Sequence, residues 1–350
     1  MDRRQVVIDA LEFRPPAYVP WSWGPTARAA ERLKEHLGLD DLEPFLDGHH
    51  YGVGSAIGRF EPVDHTHVRD VYGVVWDRSV DPDIGVPVEW PIHEPSDLDR
   101  YRWPDAADPA WYADIPARLA ARGDRFTTYS LGFSLYERAW TLRGMDELLA
   151  DMVGRPAFVE RLLDEITEQN LIQITKALEF PVDAVYFGDD YGMQTGLIMG
   201  LARWRRFFRP RLARMFEPVR QAGRYVILHS CGCVAELFDD LVEIGLNCFN
   251  PFQPEVMDTF ALMRRYHGRL AFHGGLSVQQ VLPFGTTDDV RRATQALIDA
   301  GRGGGLIIAP SHSVPGDVPP ENLVAMMDVL RSQSGAPQWT RSAGQPGSDD

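Results

Sequence analysis

Lysine is nearly absent from this sequence. Lys34 and Lys176 are the only two, so a lysine Schiff base is not expected, and recognition of substrate carboxylates or phosphates falls to arginine. Cysteine is scarce as well: Cys231, Cys233 and Cys248 are too few for a disulfide framework. There is no basic tract, and the formal net charge is −15 with a pI of about 5.1, which argues against a nucleic-acid partner. No apolar run approaches the roughly 18 residues that cross a bilayer. The N-terminus, MDRRQVVIDALEF, is amphipathic and has no signal-peptide apolar core. The expectation is a soluble protein of the cytoplasm that does not engage a membrane. No internal repeat is visible.

What is present is a large apolar fraction, 44% of 350 residues, arranged as short apolar runs between long amphipathic stretches. Val19–Trp23, Phe126–Leu131, Ala184–Phe187, Tyr225–Leu228, Leu246–Phe249, Leu270–Phe272 and Leu306–Ala309 read as strands. Pro156–Leu178, Arg203–Gln221, Asp288–Ala300 and Glu321–Arg331 read as helices. Alternation of this kind predicts an α/β fold with parallel strands. With an eighth strand assumed, a (β/α)8 TIM barrel is the first choice and a doubly wound open sheet the second. Residues 59–104, rich in Asp, Pro, Val and Trp, break the rhythm and predict an inserted set of short antiparallel strands. One domain is expected over 1–331, with a disordered polar tail over 332–350.

The chemistry-bearing residues sit where strands end, which is where barrel enzymes place their sites. His229-Ser230-Cys231-Gly232-Cys233 follows the run Tyr225–Leu228. In an extended segment, positions i and i+2 share a face, so His229 and Cys231 present an imidazole and a thiolate together, a pairing suited to zinc. Cys233 is an alternative ligand, although Gly232 predicts a turn that swings it away. Cys248 reads as core.

Asp189 and Asp190 end another strand, and at most one of the two should face the site. They are candidate acid/base residues, with Gln194 as a polar partner. His312, in a proline-bracketed loop, is a candidate ligand or acid/base. Gln253 and Glu255 are candidate substrate contacts, with Asp258 beside them, although Asn250-Pro251 signals a turn into a surface loop. His273, ahead of Gly274 and Gly275, is a further substrate-binding candidate. His65, His67, His49 and His50 read as solvated loop histidines.

RYVILHSCGCVAELFDDLVEIGLNCFNPFQPEVMD, VDAVYFGDDYGMQTGLIMG, RLAFHGGLSVQQVLPFGTTDDV and GGLIIAPSHSVPGDVPPENLVAMM resemble the uroporphyrinogen decarboxylase superfamily. The resemblance runs from about residue 3 to about residue 331 and is specific in the second half. It implies a (β/α)8 barrel and one of two chemistries. The branch closest in motif consists of zinc-dependent methyltransferases that move a methyl group from a methyl-corrinoid to a thiol. That branch uses His-x-Cys and a later Cys as zinc ligands. His229 and Cys231 match the first two, and His312 stands in the segment of the third.

The decarboxylase branch needs no metal and holds its acidic substrate with an N-terminal RQAGRY loop. The counterpart here, YVPWSWGPTARAA, lacks that motif, and the RQAGRY at Arg220–Tyr225 lies elsewhere in the chain. The late His of that branch corresponds to His312.

The expected activity is therefore zinc-dependent methyl or alkyl transfer from a methyl-corrinoid to a thiol. Its zinc ligands would be His229, Cys231 and His312. The corrinoid would be free or on a separate protein, since no corrinoid-binding domain is visible, and the superfamily suggests a homodimer. The rivals are metal-free decarboxylation of an acidic cyclic substrate and a non-catalytic small-molecule-binding barrel. In the first rival, His312 with Asp189 or Asp190 would move protons, and Arg28 and Arg138 would hold carboxylates.

Overall fold

The structure is a computed structural model and describes residues 2–55, 59–80 and 82–339. The fold is α/β with a seven-stranded sheet. Two compact units emerge. The first takes in the chain up to Tyr51, Asp124–Phe126 and the chain from Cys248 on; the second is Gly52–Gly123 and Thr127–Asn247.

The strands, in chain order, are β1 (His50–Ser55), β2 (Phe60–Pro62), β3 (His67–Asp70), β4 (Val75–Asp77), β5 (Val86–Glu89), β6 (Phe126–Leu131), β7 (Ala184–Gly188), β8 (Gly192–Met193), β9 (Gly196–Leu197), β10 (Tyr225–His229), β11 (Cys248–Phe252), β12 (Ala271–Leu276) and β13 (Leu306–Pro310). In the second unit the order is β1-β6-β7-β10, with β6, β7 and β10 parallel and in register. The first unit carries the parallel set β11-β12-β13. The expected insertion is real: β2-β3-β4-β5 make a separate antiparallel sheet.

The expectation of an eight-stranded closed barrel is corrected in one respect. Val19–Trp23 is not a strand: it meets β13 through an isolated bridge at Trp21–Ile308, and Pro25, just past it, bridges Val314 in the loop after β13. Pro20 has no amide to give to a ladder, and the Val19 amide is taken by the Gln333 side chain at 2.8 Å. The strand that sequence reasoning left out is β1, HYGVGS, whose two glycines and polar start hide its extended state.

Other boundaries move as well. Asn250 and Pro251, expected to turn, lie buried inside β11, where the Asn250 amide donates to the His273 carbonyl at 3.0 Å. The helix expected over Arg203–Gln221 is split into Leu201–Phe207 and Arg209–Gln221, with Pro210 in the first turn of the second piece. Pro156–Leu178 is one helix as expected. It starts at a proline and buries Val159, Leu162, Leu163, Ile166 and Ile174 as one stripe. Within residues 332–339 of the expected tail, Ala336 is buried and Trp339 lies edge-on to Phe45; the remainder lies outside the described residues. No described helix is long and apolar enough to cross a membrane.

Arg138, one candidate for holding a substrate carboxylate, is committed elsewhere. It is buried in the second unit, paired with Asp70 at 3.0 Å and stacked 3.8 Å from the Tyr72 ring. Asp70 also accepts from the amides of Tyr72 and Val74 and from the Trp76 indole, so one carboxylate ties the inserted sheet to helix Tyr136–Arg143. Replacing Arg138 with Met leaves that charge buried and unpaired. The expected loss is about 3–5 kcal/mol, read as a lowered urea midpoint.

Candidate active site

The site is built where β7 and β10 end side by side, His229 opposite Gly188. The two loops that leave these strands are joined at four points. The Asp189 amide donates to the His229 carbonyl (3.0 Å), and the Tyr191 amide donates to Ser230 Oγ (2.9 Å). The Cys231 amide donates to Asp190 Oδ1 (2.7 Å), and the Cys233 amide donates to the Met193 carbonyl (2.7 Å). Such close approach needs two glycines. Gly232 has φ +88°, and a Cβ there would lie 2.4 Å from the Gly192 backbone; a Cβ on Gly192 would lie 2.6 Å from the Cys231 carbonyl oxygen.

His229 is held by a residue that sequence reasoning missed. Tyr186 projects from β7, and its hydroxyl meets His229 Nδ1 at 3.1 Å. This leaves Nε2 facing Cys231 Sγ at 3.4 Å and Asp190 Oδ1 at 3.6 Å. Zinc bound at about 2.1 Å to nitrogen and 2.3 Å to sulfur in tetrahedral geometry would separate its ligands by about 3.6 Å. The His229–Cys231 separation is therefore close to what a shared zinc requires. The hint available in the sequence was a phenol inside an otherwise apolar strand, three residues before Asp189.

The two adjacent aspartates diverge. Asp189 is wholly buried and accepts from the Tyr136 amide (2.9 Å), the Glu137 amide (2.7 Å) and the Tyr191 hydroxyl (2.5 Å). Burial pushes its carboxyl up to about 6, with Asp190 adding to the rise and these donors opposing it. Asp190 is the aspartate that faces His229 and Cys231.

Glu137, at the start of helix Tyr136–Arg143, completes an acidic cluster. Burial, then Asp190 and Asp189, push it well above the usual carboxylate range. No local pattern marked it, because it arrives from a distant helix. Burial, then the charges of Asp190 and Glu137, push the Cys231 thiol up. Without a cation beside it, Cys231 is a thiol.

Cys233 lies beyond the Gly232 turn. Gln194 is exposed at the tip of the β8–β9 hairpin. In the first unit, Gln253 is buried just past β11, and Asp258 caps helix Thr259–Tyr266. Glu255 accepts from the Ser277 hydroxyl and from the Ser311 hydroxyl at 3.4 Å, which gathers the ends of β12 and β13 around one carboxylate. His312 is exposed in the loop directly after β13.

His273 is not at a strand end but inside β12, with Nε2 on the Ser22 carbonyl (2.8 Å) and its ring 4.9 Å from that of His50. Gly274 and Gly275 serve packing, since a Cβ would lie 2.5 Å from the Phe252 nitrogen or 2.8 Å from Leu297. His49 and His50 are buried rather than solvated, and His49 meets the Tyr18 hydroxyl at 2.9 Å. His67 pairs locally with Asp64. Replacing Gly232 with Ala should lower the thermal midpoint by several degrees, in line with a cost of about 1–3 kcal/mol for strained backbone. Scanning calorimetry measures it.

Residues 77–333 match the family model described as uroporphyrinogen decarboxylase (URO-D). Among solved structures, the chain is similar to a methyltransferase from Methanosarcina mazei at 16% identity. That match covers 94% of this chain and 98% of the other, with a TM-score of 0.70. A putative vitamin-B12-independent methionine synthase from Listeria monocytogenes aligns at 8% identity over 91% of this chain and 96% of its own, with a TM-score of 0.46. No curated protein matches. The family match covers well over half of the chain, which therefore belongs to the uroporphyrinogen decarboxylase family.

Proposed function

We propose that this chain is a zinc-dependent enzyme that transfers a methyl or other alkyl group to a thiol acceptor, with a methyl-corrinoid as donor. The observation that carries this reading is the 3.4 Å separation of His229 Nε2 and Cys231 Sγ at the end of β10. His312 is the proposed third ligand, since it stands in the segment where the methyltransferase branch has its later Cys, and Cys233 is the alternative. The Methanosarcina protein, a methyltransferase of the same fold, adds weight to alkyl transfer. Zinc in such a site would lower the pKa of an acceptor thiol and hold it as thiolate.

The residues of the chain do the rest. Tyr186 fixes the His229 ring so that Nε2 points at Cys231. Asp190 anchors the Cys231 amide and is the partly exposed carboxylate within reach to carry away a thiol proton. Asp189 holds the loop in place, and Gln194, Gln253, Glu255 and His273 remain proposed substrate-side residues. The corrinoid would come from a separate protein or from solution.

One observation favours the rival, metal-free decarboxylation. Glu137 is pushed toward its protonated form beside Asp190, and an acid paired with a carboxylate is what protonation of a carbanion would use.

Elemental analysis of protein purified under reducing conditions separates the two. About one zinc per chain is expected, lost in His229→Ala, Cys231→Ala and His312→Ala. Zinc affinity should fall about 10–100-fold in Tyr186→Phe. Because the Cys231 thiol is pushed up, zinc must displace its proton. Affinity should therefore rise with pH, by up to about tenfold per unit for one proton, with proton release on binding. A wild-type chain that takes up no zinc when supplied with it would overturn this reading in favour of decarboxylation.

A further inference from the structure

A second recess in the same unit has no role in the reading above. A cavity of about 560 Å³ opens beside β1, floored by the Gly52–Gly54 backbone and walled by Trp111, Ser130, Asp114, Arg59 and Arg118. Among the described residues its two cations are not spent on ion pairs. The Arg59 guanidinium donates to the Ala110 carbonyl and lies 5.8 Å from the Trp111 ring centre; that of Arg118 reaches the Gly52 carbonyl at 3.5 Å. In a chain with 50 acidic and 35 basic residues, two guanidinia lining one cavity with no carboxylate paired to them among the described residues make that lining locally positive.

Sheet register connects this cavity to the His229 pair. Ser130 on β6 stands opposite Tyr186 on β7. Both are half-buried, in strands whose other side chains are mostly buried, so this row of the sheet is open on one face. Tyr186 in turn carries the hydrogen bond to His229 Nδ1. Ser130, on the cavity wall, is thus one strand away from the tyrosine that holds His229.

We propose that this cavity binds the carboxylate-bearing ring of the substrate, and that the substrate class is a flat aromatic or cyclic monocarboxylate. A planar guanidinium matches a carboxylate with two parallel hydrogen bonds. Two cations set against the single Asp114 carboxylate suit one negative charge better than two. Gly52, with open space where a side chain would be, leaves room for the ring beside Trp111 and the Arg59 guanidinium. The link to chemistry at His229 and Cys231 rests on the function proposed above; the binding itself does not.

The test is calorimetric titration of the full-length, chelator-treated protein with benzoate, and separately with inorganic phosphate. Benzoate should bind saturably and more tightly than phosphate. Arg118→Ala and Arg59→Gln should each weaken benzoate at least about tenfold. Gly52→Val should abolish binding: a Cβ at Gly52 meets nothing within 4 Å, so the new side chain fills the cavity while the strand is kept, and an unchanged thermal midpoint verifies this. His229→Ala and Cys231→Ser should bind benzoate like wild type. Benzoate that does not bind, or binds equally to Arg118→Ala and Gly52→Val, overturns the site; phosphate binding more tightly than benzoate overturns the monocarboxylate class. Benzoate binding by a chain that takes up no zinc supports the site while removing the metal.

Discussion

The buried carboxylate of Asp189 is the constraint on which the candidate site depends. It lies at the end of β7, out of water, and accepts from two amides in the first turn of helix Tyr136–Arg143 and from the Tyr191 hydroxyl. A carboxylate in that position is stable only with such donors around it. Its own amide binds the His229 carbonyl, so the helix, the end of β7 and the end of β10 are held by one residue. Once Asp189 is turned inward, Asp190 must point the other way, toward Cys231 and His229. Tyr191, packed among Tyr136, Trp204 and Phe208, locks that choice from behind.

The same arrangement creates an electrostatic tension. Asp190 and Glu137 crowd negative charge around a buried thiol that a metal ion would need as thiolate. A divalent cation relieves it in one step, by compensating the carboxylates and stabilising the thiolate. Without the cation the proton stays on Cys231, and Glu137 is pushed toward its protonated form. The cluster is thus two-natured. With zinc it suits thiol chemistry, and without zinc it is an acid–carboxylate pair. Metal content, rather than fold, is therefore what separates the two proposed activities.

Much of the fold was legible in the sequence because its signals are local. Apolar runs at Phe126, Ala184, Tyr225 and Leu306 became strands, and Pro156 opened the long helix it predicts. The failures have local causes too. Pro20 kept Val19–Trp23 out of the ladder, the glycines of β1 concealed a strand, and Asn250-Pro251 carried a turn signal that burial in β11 overrode. His49 and His50 read as solvated in the sequence because polar residues usually are; packing against Tyr18 and His273 buries them instead.

The sequence alone determined the identity and order of the metal-competent pair. An imidazole and a thiol two residues apart at a strand end share a face whatever surrounds them, since the period of an extended chain is two. It also determined that one of two adjacent aspartates would face away. Which one, and why, was decided by tertiary structure, because the donors that claim Asp189 come from a helix some fifty residues earlier. Tertiary structure also brought Tyr186 to His229 Nδ1 and Glu137 to Asp190. These contacts depend on strand register and on desolvation, and neither is written in any short stretch of chain.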